Sequence, residues 1–132
     1  MAALLIVALI GSGGYVMTGF LRQPGIPPAG TIWFGASFDP DTFEVRERLT
    51  SVGPNDSFVM VGRLTRPLLG SRLVIRGYLD DALITVAWTS SLDYAVTWGF
   101  DLGPVAKPGN WRYEIAEIGG NALASGEFVA RP

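Results

Sequence analysis

The chain has 132 residues and a formal net charge of −2, with no cysteine and no histidine. These figures exclude disulfides, thiolate chemistry, Cys/His zinc sites and histidine-based triads. They also lack the basic excess of a nucleic-acid binder, and the length allows a single core.

The first element is an uncharged apolar run from Ala2 to Leu21, closed by Arg22. About 20 such residues rise about 30 Å as a helix, the thickness of a bilayer's hydrocarbon core. Residues 1–22 are therefore expected to form a single transmembrane helix. The run is longer than a signal-peptide core, lacks a positive n-region, and has no convincing small-residue cleavage site after it. An uncleaved anchor is the expectation. Gly11, Gly13 and Gly14 lie in mid-span, where small residues let helix backbones approach closely in lipid. They are the candidate helix-packing residues, although glycine is also simply common in membrane helices. Positive-inside counting has only Arg22 to use, and that charge weakly favours a cytoplasmic C-terminus. Anchored β domains usually face outward, and on that analogy an extracytoplasmic domain at the cell membrane is expected.

Residues 23–30, Gln-Pro-Gly-Ile-Pro-Pro-Ala-Gly, cannot continue a helix, because three prolines fix φ and remove donors. An extended, stiff linker is expected there. Residues 31–132 then form the third unit, a β domain. Ile32–Phe38, Phe58–Leu64, Leu73–Tyr78, Leu83–Trp88, Tyr94–Phe100, Trp111–Ile115 and Leu123–Val129 read as short strands between turn signals. Asp39–Asp41, Gly53–Asp56 and Gly119–Asn121 are turns. Asp80–Asp81 closes a hairpin. Thr42–Leu49 is ambiguous: Phe43 and Val45 alternate, but Glu44–Arg48 could equally make a helical turn.

In Pro108-Gly-Asn-Trp-Arg-Tyr-Glu-Ile115, Trp111, Tyr113 and Ile115 share one strand face while Arg112 and Glu114 share the other. This stretch resembles the penultimate strand of immunoglobulin-like and fibronectin type III-like modules, and Ala124–Val129 resembles their last strand. The resemblance covers about the last 30 residues and otherwise rests on strand count. It implies an all-β fold, an immunoglobulin-like antiparallel sandwich of about 7–8 strands behind the N-terminal helix. It implies no activity, since such modules host many functions. The paired cysteines of antibody domains are missing.

Candidate sites are few. Asp39/Asp41 and Asp80/Asp81 offer carboxylates to calcium, but two per turn supply only part of a shell, and turn chemistry explains them. Glu114 with Glu117, or Asp93 with Asp101, could make a glycosidase-like pair, against the ordinary reading of solvated acids. Trp33, Trp88, Trp98 and Trp111 could stack on glycans or partners if exposed. Trp88 and Trp111 have apolar neighbours on their faces and read as core, and Trp33 could rest at a membrane surface. Arg63, Arg66, Arg72 and Arg76 form the one basic concentration, a possible patch for lipid headgroups or an acidic partner. The plainer account is an edge strand blunted by charge. Asn55-Asp-Ser57 fits the N-glycosylation pattern, which is frequent by chance.

No catalytic arrangement, metal site or cofactor is expected. The function expected is a non-catalytic accessory or structural subunit of a membrane complex, its partners being other membrane subunits or copies of itself, together with the bilayer. A filament subunit is the alternative. Archaeal-type pilins resemble the plan of hydrophobic helix plus β-sandwich, but the glutamate that bacterial type IV pilins carry early in the helix is replaced by Leu5. A surface module binding glycan or protein is the second alternative.

Overall fold

A computed structural model describes residues 25–68, 72–89, 96–105 and 107–132, with the backbone alone for 88 and 89. The expected N-terminal helix, with Gly11, Gly13 and Gly14, lies outside the described residues. Among the described residues no helix is long and apolar enough to cross a membrane.

The described chain is all-β. Its strands are β1 (Thr31–Phe38), β2 (Val45–Leu49), β3 (Ser51–Val52), β4 (Phe58–Arg63), β5 (Leu73–Leu79), β6 (Ala82–Thr89), β7 (Thr97–Leu102), β8 (Gly109–Glu117) and β9 (Ala122–Ala130). The ambiguous segment is strand: β2 pairs antiparallel with β1, Phe38 opposite Val45 and Phe34 opposite Leu49. Both expected hairpins form, β5–β6 across Asp80–Asp81 and β8–β9 across Gly119.

Hydrogen bonding follows one path, β6-β5-β8-β9-β1-β4-β7, with β2 on β1 and β3 on β9. The β1–β9 step is a single parallel pair, Thr31 opposite Ser125. From that seam the sheet curls. β5 and β4 are four steps apart on the path, roughly 19 Å if the sheet were flat. Yet Leu73 and Ile75 of β5 share one buried cluster with Phe58 and Met60 of β4. Aromatic rings close the curl. Phe34 lies 4.7 Å from Phe128 edge-on, Phe58 lies 5.1 Å from Phe128, and Phe34 lies 6.2 Å from Tyr113. Trp111 and Tyr113 are buried in this core, as their alternation predicts. The indole N–H of Trp111 donates to the Lys107 carbonyl at 2.9 Å.

β4 is covered on both faces. Val59 and Val61 are buried, although they point away from the main cluster. Their cover comes from the β1–β2 hairpin. Phe38 lies over Gly99, the residue paired with Val61, so closely that a Cβ there would stand 2.5 Å from its ring. Phe38 in turn stacks on Phe43 at 6.0 Å. The described part of the linker, residues 25–30, is docked on the domain. Gly25 and Val45 exchange two backbone hydrogen bonds, 3.2 and 2.7 Å, and Pro27 is fully buried.

Candidate functional site

Asp39 is occupied with its own turn, and Asp80 and Asp81 with β8. Asp39 accepts from the N–H groups of Asp41 (2.8 Å) and Thr42 (3.2 Å), and pairs with Arg46 at 3.2 Å. Those donors, the Asp41 N–H foremost, hold its carboxyl below the usual carboxylate range. Asp80 accepts from the Asn110 N–H at 3.0 Å, and Asp81 from Arg112 Nη1 at 2.9 Å. Among the described residues no group of three or more Asp and Glu could hold a metal ion.

β8 carries the carboxylates that meet the basic residues. Glu114 lies between Arg76 (3.3 Å to Nε, off the line of a hydrogen bond) and Arg112 (3.6 Å). Glu117 pairs with Arg66. So Glu114 and Glu117 face cations rather than each other. Asp101 is exposed on β7, and Asp93 lies outside the described residues. Of the basic concentration, Arg66 and Arg76 are in ion pairs with β8, while Arg63 and Arg72 are exposed and make no ion pair with the described residues. The guanidinium of Arg112 also lies 4.3 Å over the Tyr78 ring, and its bond to Asp81 raises its pKa further above the ordinary arginine value.

An open cleft of about 570 Å³ lies between the Asp80–Asp81 turn, the start of β8 and the end of β9. Its floor is Trp111 and Phe128 and its rim carries Arg112 and Glu127. Asp80, Asp81 and Arg112 are already bonded to one another's strands.

The tryptophans divide. Trp111 is core. Trp33 is half-buried with Arg48 stacked 4.2 Å over its ring. Trp98 is half-buried and stacks on Phe100 at 6.5 Å. The side chain of Trp88 is not described.

What the sequence reading missed is that β6 is an edge. It ends the strand path, so one edge has no partner among the described residues. Every residue from Ala82 to Ala87 is exposed. Leu83 is 53% exposed, Ile84 46% and Val86 42%, on a strand with no charged residue. A bulge between Gly77 and Tyr78 sets Thr85 opposite Gly77 and Leu83 opposite Tyr78. Leu83 and Val86 therefore lie on one face beside Tyr78 and Arg76, and Ile84 is the extra residue between them. Natural edge strands are normally blunted by charge, proline or cover. The signal was present in the uncharged run Ala82–Thr89, but only topology shows that it is an edge.

Fold and surface together define a small all-β domain with an exposed apolar edge strand that has no partner among the described residues. The chain matches no protein-family model and no curated protein.

Proposed function

We propose that this protein is a non-catalytic accessory or structural subunit, held at the cell membrane by residues 1–22, whose β domain joins a partner chain through β6. The observation that carries the reading is the exposure of Leu83, Ile84 and Val86 on an uncharged edge that is unpaired among the described residues. Exposed apolar strands of this kind favour addition of a further strand, whose main-chain hydrogen bonds supply affinity. The bonded turn acids Asp39, Asp80 and Asp81, and Arg66 and Arg76 in their ion pairs, give no comparable focus for chemistry.

Two finer statements belong to the same reading. The curl is an immunoglobulin-like sandwich, with β1, β4 and β7 in one layer and β6, β5, β8, β9 and β3 in the other. Its support is the pairing pattern, including the parallel pairs of β3 on β9, Ser51 with Val129 and Val52 with Ala130. The domain faces outward, and the docked segment from Gly25 keeps it close to the membrane.

The membrane arm is tested by alkaline carbonate extraction. The full chain stays in the membrane pellet, and Ile10→Arg shifts it to the supernatant, because a mid-span arginine costs about 2.5–3.5 kcal/mol on insertion scales. Release of the unaltered chain by carbonate alone overturns the anchor. The assembly arm is tested by cross-linking in native membranes from a photoreactive residue at Leu83. A stoichiometric adduct supports it, and the absence of any adduct overturns it.

A further inference from the structure

We propose that the chain docked on β6 is a second copy of this protein, added antiparallel about a twofold axis near Val86. This rests on the reading of β6 as the docking edge and names its occupant.

The first argument is chemical self-complementarity. From Ala82 to Thr89 the strand has no charge, and Ile84, Thr85 and Val86 are β-branched. A partner strand carrying charges would set them against exposed Leu83 and Val86, whereas the same strand places uncharged side chains opposite uncharged side chains. β-Branched cross-strand pairs are favourable on such a surface.

The second argument is charge. The β5–β6 hairpin has an acidic closed end, Asp80 and Asp81, which Arg112 neutralises only in part. The Asp81 side chain is 89% exposed. Its open end is basic. Leu73 pairs with Thr89, and the preceding Arg72 is exposed and without an ion pair among the described residues. An antiparallel twofold puts each acidic end beside the partner's basic end, twice per dimer. With Val86 opposite the partner's Val86, Leu83 meets the partner's Thr89. Arg72 then comes level with the partner's turn, within about one residue of Asp81. A parallel addition would set acid beside acid. The remaining separation is about two strand spacings, roughly 10 Å, which a long arginine side chain largely bridges and which is comparable to the screening length at physiological salt.

The third argument is area. One strand pair buries less than the roughly 800 Å² per partner of a standard stable interface. The dimer is therefore weak when free in solution, and confinement at a membrane raises its effective concentration. A twofold contact uses the same patch on both copies and closes at two. A β6-to-β7 contact would instead leave a free edge on each copy and propagate a filament.

The test uses the full chain in lipid nanodiscs or mild detergent. The protein has no cysteine, so Val86→Cys introduces the only thiol. Under mild oxidation it forms a disulfide dimer about tenfold faster than Asn55→Cys, an exposed control, as expected for a specific rather than collisional encounter. Arg72→Glu weakens the sedimentation dimer about fivefold and Arg72→Lys leaves it unchanged, since only the sign of an exposed charge differs. Circular dichroism checks that each variant is folded. Equal cross-linking at both cysteines overturns the proposal, an unaffected Arg72→Glu dimer overturns the antiparallel register, and sedimenting species larger than a dimer overturn the twofold. A monomer whose Leu83 still cross-links to a different chain in membranes overturns the second copy but leaves the accessory reading. A monomer with no such adduct overturns both.

Discussion

Gly126 of β9 stands where no side chain fits. A Cβ there would run into the carbonyl oxygen of Ile32 on β1, in the seam from which the sheet curls. Backbone cannot retreat as a flexible side-chain tip can, so Gly126→Ala should cost about 1–3 kcal/mol, the range for overpacking. Denaturant titration measures it as a lower midpoint at unchanged slope. Trp111→Ala removes a buried ring stacked on Phe128 at 6.3 Å and should cost about 3–5 kcal/mol. Asp39 supplies a pH prediction. Its carboxyl is depressed by the Asp41 and Thr42 N–H groups. The folded state thus binds its proton less readily than the unfolded chain. The stabilisation is complete above the ordinary aspartate value and is lost as pH falls through the depressed one. Asp39→Asn should therefore melt below the unaltered protein at neutral pH, with the difference vanishing in acid. A constant difference across the titration would rule out the carboxylate's role. At this scale much was legible: alternation placed Trp111, Tyr113 and Ile115 in the core. The partners of Arg66 and Arg76 were not, because Glu117 and Glu114 reach them only once β8 is placed.

The β5–β6 hairpin shows what local chemistry can specify within an element. A two-residue type I′ loop, one of the two that suit twisted strands, requires φ > 0 at both positions. Asp80 (φ 48°) and Asp81 (φ 69°) satisfy it, and Asp tolerates this region better than most residues. The two differ in what their side chains do. Asp80 holds the Asn110 N–H at 3.0 Å, whereas Asp81 makes only an exposed pair with Arg112. Asp81→Gly should therefore be neutral or stabilising by about 0.5–1 kcal/mol, since strain is relieved and an exposed pair contributes little. Asp80→Gly gains the same relief but loses its bond to β8, so it should be the less stable of the two. Chemical denaturation of both variants checks the order. The hairpins were legible because their turn residues announce them. β2 was not, because Glu44–Arg48 has no decisive period and is strand only through pairing with β1. The continuous apolar run Phe58-Val-Met-Val61 did carry a hint that β4 is covered on both faces. That the β1–β2 hairpin supplies the cover depends on Phe38 lying over Gly99, a contact across distant sequence.

At the scale of the whole molecule, the class was legible and the docking of residues 25–30 was not. Short strands at regular turn spacing indicate an all-β domain, but proline content alone suggests that residues 23–30 stand free. Instead Gly25 pairs with Val45 and Pro27 is buried, so residues 25–30 pack on the β domain. This difference makes a direct prediction about fragments. A chain of residues 25–132 should fold without metal or disulfide and give a β-type circular dichroism spectrum. A chain of residues 29–132 should give the same spectrum but lower stability. It lacks the two Gly25–Val45 backbone hydrogen bonds, each contributing about 0.5–1.5 kcal/mol, the bonds of the Thr31 N–H and hydroxyl to the Pro28 carbonyl, whose exposed donors water largely satisfies, and the packing of one buried proline. The combined loss is about 2–3 kcal/mol, a drop in melting temperature on the order of 10 °C for a domain of this size. The loss should concentrate on β2, because Val45 then has no strand on its outer side and less cover over Gly35. Amide exchange should accordingly quicken at Val45, whose N–H donates to Gly25, while Tyr113 and Ile115 stay protected. Identical melting of the two fragments would mean that the entry segment only rests on the surface, and a mainly helical spectrum from either would refute the fold class.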